Sequence, residues 1–453
     1  MTENAEKRRR KALGTSRTIV LVFTAVIALG TLLLLLPVSS RDGCCCGFKT
    51  ALFTATSSTC VTGLVLCDTW SQWSGFGQFV ILALIEIGGL GFMSLASVVI
   101  FMTRRKISFQ QRILIAESIS TDGNGGVMRV QRKLLIGSLL IELAGVIILF
   151  IRFLPEFGFS RALKLGIFHS VSAFCNAGFD IMGFKTPGGS LEYFANDPVV
   201  LITLSLLIII GGLGFVVWDD MTAKRKPKNW SVYTKLVLCT TAALILSGWL
   251  LNCLFEWNNP GTMGNMSVSG KLLSGFFQSV TLRTAGFATI DQGSLTQAGK
   301  ALSCIYMLIG GSSGSTAGGL KTVTFVVLVL FLRSRIKGRN SVDVFKRRID
   351  QDQVMNALVL AIVLAALAFT GGLFVSATSG VEFTDALFET VSALGTVGLT
   401  TGITAALSLP SHIMLILFMF FGRVGLLTIC IGFLRGNYVE KKYSYATTNL
   451  LIG

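Results

Sequence analysis

Four short segments of this chain are copies of one another, and that repeat narrows the possible folds more than any other feature. They run from Phe53 to Leu64 (FTATSSTCVTGL), Phe168 to Phe179 (FHSVSAFCNAGF), Phe277 to Phe287 (FQSVTLRTAGF) and Phe388 to Leu399 (FETVSALGTVGL). Each opens on Phe and closes on Gly followed by a large apolar residue. The glycines Gly63, Gly178, Gly286 and Gly398 recur at intervals of 115, 108 and 112 residues, and the third copy is one residue shorter than the others. Near-equal periods of this kind mark a chain built from one supersecondary unit used repeatedly.

The sequence around the repeats belongs in a bilayer. Apolar stretches long enough to cross about 30 Å of hydrocarbon lie at 19–37, 76–102, 134–154, 198–218, 232–255, 354–377 and 411–434. An eighth, 298–332, is overlong and interrupted by Gly310, Gly311, Ser312, Ser313, Gly314, Ser315, Thr316, Ala317, Gly318 and Gly319. That break has no large apolar side chain and must face protein or water, because free backbone groups are not tolerated in lipid. Each repeat segment follows an odd-numbered span and precedes an even-numbered one. The preceding apolar pieces, at 48–58, 162–174, 271–282 and 384–394, are too short to cross and read as re-entrant half-helices.

Composition agrees: 52% of residues are apolar and 14% charged, where a soluble protein would carry about 25% charged residues. The formal charge of +16 is mostly topology. With the N-terminus inside, 28 of the 39 Lys and Arg fall on cytoplasmic segments, as the positive-inside rule requires. The basic loops also suit anionic lipid or an acidic cytoplasmic partner, and nothing points to nucleic acid. The expected fold is an all-α integral membrane protein with eight transmembrane helices, N-in and C-in. Its four helix/re-entrant loop/helix repeats, at 19–102, 134–218, 232–332 and 354–434, surround a central pore between a basic tail at 1–18 and a C-terminal tail at 435–453.

The even spans carry a second register: Ile87-GGLGF, Ile210-GGLGF, Ile309-GGSSG and Phe421-GRVGL. The first two read as helix-packing surfaces, since small residues let membrane helices approach. In the last, Arg423 takes the place of Gly89, Gly212 and Gly311. A charge at that depth is costly and by default faces the bundle interior with a role. Four equivalent loops entering from the outer face can present their backbones to one axis. Gly permits the positive-φ conformations this needs, carbonyl rings replace the water shell of a monovalent cation, and the partly negative C-terminus of each half-helix favours it further.

These motifs (CVTG, CNAG, RTAG and GTVG, the Gly/Ser/Thr-rich break in the sixth span and the arginine of the eighth) resemble the potassium-translocating subunits of the Trk/Ktr/HKT superfamily, in particular the KtrB type, over essentially the whole chain. The resemblance implies a four-loop selectivity filter in which K⁺ is held by main-chain carbonyls of Val61, Thr62 and Gly63, of Asn176, Ala177 and Gly178, of Thr284, Ala285 and Gly286, and of Thr396, Val397 and Gly398. It implies that 310–319 is an intramembrane gate beneath the filter, with Arg423 beside it. It further implies potassium uptake across the cell membrane by a homodimer on a cytoplasmic, KtrA-like ring of nucleotide-binding subunits, with Na⁺ as an activating ion and no cofactor bound by this chain.

Other charged groups carry their own expectations. Arg283, just before Thr284, should point away from a cation filter, toward Glu389 or Asp291. Lys321 either caps carbonyls freed by the break or snorkels to the cytoplasmic edge. Asp68, Asp180 and Asp291, each within five residues of a filter glycine, either concentrate cations at the mouth or are ordinary surface groups. His169 reads as a satisfied helix residue, and the ten cysteines as neither a disulfide framework nor a metal site. A cation-coupled solute symporter is the rival function; no Walker, HExxH or nucleophile-elbow pattern supports an enzyme.

Overall fold

A computed structural model describes residues 2–90, 127–224, 226–339 and 341–425. The end of the second expected span (91–102), the end of the eighth and the tail at 435–453 lie outside the described residues.

The odd spans are unbroken helices. The first, α1 (Thr2–Leu35), runs without interruption through the basic N-terminal stretch into its apolar part from Arg17 onward. After the half-helix α2 (Phe48–Thr59) comes α3 (Gly75–Leu90). Next, α4 (Val127–Phe174) turns at Gly158 (φ 74°), three residues after Pro155, so one stretch supplies both the third span and the second half-helix. The fifth span is α7 (Val232–Glu256) and the seventh α11 (Gln351–Ser379). Only 28–33% of the apolar window in the four odd spans is buried inside the protein. Leu139, Leu143 and Ile147, like Leu246, Leu250 and Leu254, turn outward, which in a multi-pass membrane protein is the face that meets lipid.

Two of the even spans, the fourth and the sixth, are interrupted. α5 (Pro198–Leu213) and α6 (Phe215–Ala223) meet at Gly214 (φ 87°) with a bend of 89°. The expectation of one straight span at 198–218, with IGGLGF as a packing surface, therefore needs correcting in part. Gly211 does pack, lying where a side chain would strike the Phe174 carbonyl, but Gly214 breaks the helix. The sixth span is α9 (Gln297–Leu308) and α10 (Thr322–Ile336), separated by the expected break. The half-helices of repeats three and four are α8 (Val268–Thr281) and α12 (Phe383–Gly395), and α13 (Leu409–Val424) ends the described chain.

Local chemistry sets these boundaries. Asp197, Ser231, Ser267, Thr296 and Ser408 each accept a backbone N–H in the first turn of the helix they precede, a cap worth about 1 kcal/mol each. The repeat-opening phenylalanines Phe53, Phe168, Phe277 and Phe388 are all buried. In a membrane their contribution is close packing rather than escape from water, and it fixes each half-helix at the same depth. The only strands among the described residues form a hairpin, Asp343–Val344 against Arg347–Arg348, turning through Phe345 and Lys346; isolated bridges join Ser40 to Trp73 and Ile309 to Leu320.

Repeats three and four are joined at the first turns of α9 and α12 by Lys300 and Asp385, 2.7 Å apart with side chains 7% and 20% exposed. Lys300→Met strands the Asp385 carboxylate and is expected to cost about 2–3 kcal/mol, whereas adding Asp385→Leu should recover most of that loss. Thermal unfolding in detergent checks this; equal losses in the single and double variants would show that the pair does not join the repeats.

Candidate ion-conducting site

The four half-helices end at one place. A Cβ added to Gly63 would lie 2.5 Å from the Ala177 carbonyl oxygen, and one on Gly178 would lie 2.7 Å from that of Ala285. Likewise, a Cβ on Gly286 would strike the Val397 oxygen and one on Gly398 the Thr62 oxygen. Each repeat's glycine thus abuts the residue before the next repeat's glycine, in the cyclic order one, two, three, four, one. Only four segments around a common axis close such a ring, and only glycine leaves room for it.

The backbone has the same unusual form in all four loops. Val61, Asn176, Thr284 and Thr396 have φ of 56°, 59°, 67° and 52°, and the glycines two residues later have φ of 98°, 68°, 84° and 94°. Left-handed backbone at non-glycine residues, above all at β-branched Val61, Thr284 and Thr396, persists only where the surroundings enforce it. Here a hydroxyl four residues after each opening Phe supplies the restraint. Ser57 and Ser392 accept the amide N–H of Gly63 and Gly398, each at 3.1 Å, while Ser172 and Thr281 donate to the Phe179 and Phe287 carbonyls, each at 2.7 Å. Thr62, Ala177 and Val397 also give their N–H groups back to the Ser57, Ser172 and Ser392 carbonyls. These donors are thereby satisfied by their own half-helices. The hydroxyls were not singled out from sequence, although their fixed place in the repeat was a sufficient signal.

In repeats three and four the residue after the opening Phe reaches further out. Glu389, fully buried, accepts from Thr404 Oγ1 (2.8 Å), Thr401 N–H (3.0 Å) and Thr400 Oγ1 (2.5 Å), and Gln278 pairs with Gln292 at 2.7 Å. These bonds hold the chain beyond the filter. His169, in the same register, binds the Leu165 carbonyl through Nδ1 at 2.8 Å.

Above the ring lies an open vestibule of about 270 Å³ whose lining includes all four glycines together with Asp68, Asp180, Asp291 and Glu192. The acidic residues therefore sit at the mouth. Burial, with Asp68 close by, pushes the Asp180 carboxyl up to about 7.

Segment 310–319 packs against the ends of the second and fourth half-helices. Gly318 lies where a side chain would strike Thr396, and Thr316 Oγ1 donates to the Phe174 carbonyl at 3.2 Å. The segment docks on the bend of the fourth span: Ser312 donates to the Gly212 and Leu213 carbonyls, and Phe215 N–H to the Gly314 carbonyl at 2.9 Å. Tyr233 OH adds a bond to the Ser313 carbonyl at 3.1 Å. Arg423 donates to the carbonyls of Thr316, Gly88 and Gly89, so one guanidinium from repeat four ties the repeat-three break to repeat one. Lys321 caps the Ala317 carbonyl at 2.9 Å rather than reaching for the cytoplasmic edge. The direction expected for Arg283 is corrected: it faces neither Glu389 nor Asp291 but the base of the break, with Nη2 3.3 Å from Thr322 Oγ1 and 3.5 Å from the Gly310 carbonyl. The Gly310 carbonyl, which also accepts from Thr322 Oγ1 at 3.1 Å, lies where the helix stops and is within reach of the guanidinium.

A family model described as "TrkH: Cation transport protein" matches residues 3–441. The "Potassium/sodium uptake protein NtpJ" of Enterococcus hirae is 39% identical, covering 99% of both chains. The "Ktr system potassium uptake protein B" of Bacillus subtilis is 37% identical, covering 93% of both. Among solved structures, the potassium transporter TrkH from Vibrio parahaemolyticus superposes with a TM-score of 0.70 at 19% identity, over 92% of this chain and 84% of that one. The chain therefore belongs to the TrkH family of cation transport proteins, alongside Ktr-system subunits.

Proposed function

We propose that this protein carries potassium ions into the cell across the cell membrane, as the translocating subunit of a Ktr-type system. The observation that carries the reading is the closed ring of glycine-to-carbonyl contacts around Gly63, Gly178, Gly286 and Gly398. K⁺ is the substrate ion and sheds its water onto the main-chain oxygens of residues 61–63, 176–178, 284–286 and 396–398. The names of the relatives favour potassium, and a single fourfold axis suits a pore better than the two-half repeat of a solute symporter.

Segment 310–319 is the gate and Arg423 its latch. Donating to three carbonyls across two other repeats, the guanidinium holds the break under the filter and sets a positive charge against cation passage. The positive-inside count supports an eight-span, N-in and C-in arrangement, and four unbroken odd helices with breaks in the fourth and sixth spans are compatible with it. A homodimer on a cytoplasmic ring of nucleotide-binding subunits, with Na⁺ as activator, completes the proposal. The basic hairpin around Arg347 and Arg348 suits contact with such a ring.

Radiolabelled rubidium uptake into proteoliposomes, with K⁺ or Na⁺ as competitor, tests the reading. K⁺ should compete well and Na⁺ poorly; equal competition would overturn it. Gly398→Ser, which pushes a side chain onto the Thr62 carbonyl, is expected to lower K⁺ over Na⁺ preference about tenfold, the equivalent of about 1.4 kcal/mol. Arg423→Ala should raise the uptake rate at saturating K⁺ several-fold, with Arg423→Lys between it and the parent; an unchanged rate would remove the latch. Because the Asp180 carboxyl is raised to about 7, it is charged above that pH and neutral below it. The KM for rubidium should therefore fall as external pH rises from about 6 to about 8, and Asp180→Asn should flatten that dependence.

A further inference from the structure

Behind the second filter loop, three side chains far apart in sequence meet in the interior. Glu86 comes from α3, Glu142 from the spanning limb of α4, and Cys175 follows the second half-helix immediately before Asn176. One ligand atom from each lies within 4.8 Å of the other two. Cys175 Sγ and Glu86 Oε2 are 3.5 Å apart. Glu142 is 5% exposed, and its Oε1 has no hydrogen-bond partner among the described residues. Neither carboxylate forms an ion pair among them.

The potassium path uses none of these groups, and two carboxyls in a membrane interior are costly unless something compensates them. We infer that Glu86, Glu142 and Cys175 form a site for a thiophilic divalent cation of the zinc type. Zinc binds thiolate sulfur at about 2.3 Å and carboxylate oxygen at about 2.1 Å, so a tetrahedral S–Zn–O edge is about 3.6 Å. The Sγ-to-Oε2 separation already has that length. A sulfur ligand selects Zn²⁺ or Cd²⁺ over Mg²⁺ and Ca²⁺. Three protein ligands leave the fourth position to water, and the unpartnered Glu142 oxygen gains the partner it lacks.

The surroundings are built for close approach. Gly89, one turn after Glu86, lies where a side chain would collide with Cys175 Sγ at 2.5 Å. Ser170 Oγ donates to the Glu142 carbonyl at 2.7 Å and ties that turn to the half-helix. Arg423 donates to the Gly88 and Gly89 carbonyls beside it. Binding displaces the thiol proton that Cys175 donates to Glu86, and any carboxyl proton, to water; with all three ligands then ionised, a divalent ion leaves one negative charge, which this guanidinium balances. An ion here would clamp α3 and α4 to the residue preceding the filter and connect, through Gly88 and Gly89, with the arginine that holds the gate. Occupancy should therefore slow transport.

The test uses the full chain in detergent, with Cd²⁺ as the probe and equilibrium dialysis as the readout. Glu86→Gln, Glu142→Gln and Cys175→Ser each remove one ligand with little change of volume. Each folded variant should bind one Cd²⁺ fewer per chain than the parent at the same free concentration, or need at least about tenfold more Cd²⁺ for that equivalent, since even outer-shell partners are worth about 10- to 100-fold. The band from Cd²⁺–thiolate charge transfer should shrink in Cys175→Ser. In proteoliposomes Cd²⁺ should inhibit rubidium uptake by the parent and spare Glu142→Gln. Unchanged Cd²⁺ stoichiometry and affinity in any one of the three folded variants overturns the site, whatever ion the pore carries. Bound Cd²⁺ without inhibition would overturn its effect on transport.

Discussion

A backbone that leaves the helix inside a bilayer must find its hydrogen bonds within the protein, and this architecture follows from that constraint. Among the described residues, the two interruptions inside the even spans face each other. The break at 310–319 is satisfied by the bend at Gly214, by the end of the second half-helix and by Arg423. The filter loops are satisfied by the half-helices they terminate. Were any one of these segments turned outward, its open carbonyls and amides would meet hydrocarbon at a cost of several kcal/mol per group. The axis is the only place where four repeats can share their irregular backbone.

That sharing explains how strained geometry is held. In the four repeat loops one non-glycine residue each sits in left-handed conformation, three of the four β-branched, at a cost of order 1–3 kcal/mol each. Opposing it are the buried phenylalanines that fix each half-helix and the hydroxyls that tie each loop to its own helix. The repeats differ in how they do this: repeats one and four use a Ser as acceptor, and repeats two and three use a Ser or Thr as donor. The result is a ring tolerant of sequence variation at the side chains but intolerant of any Cβ at four positions. The segment at 310–319 is held differently, by side chains from other repeats.

Much of this was legible because repetition turns weak signals into a strong one. A single glycine before an apolar residue says little; four in register after four opening phenylalanines locate the loops. The polar break in the sixth span and the arginine in a glycine position were legible for the same reason. Other features were not. The bend at Gly214 hides inside IGGLGF, since one glycine there packs and another breaks the helix, and nothing local separates them. Arg283 turned to the carbonyls at the foot of the break, a choice set by depth and not by nearby acids in the sequence. The meeting of Glu86, Glu142 and Cys175 depends on how three helices cross, which no spacing encodes.

The central claim is that the four glycine loops hold a dehydrated alkali cation on their common axis. Its most direct measurement is anomalous scattering from crystals of the full chain grown in rubidium. The account predicts a peak on the axis among the carbonyls of residues 61–63, 176–178, 284–286 and 396–398, lost when sodium replaces rubidium. An axis without rubidium, with ions bound only in the vestibule or elsewhere, would contradict it.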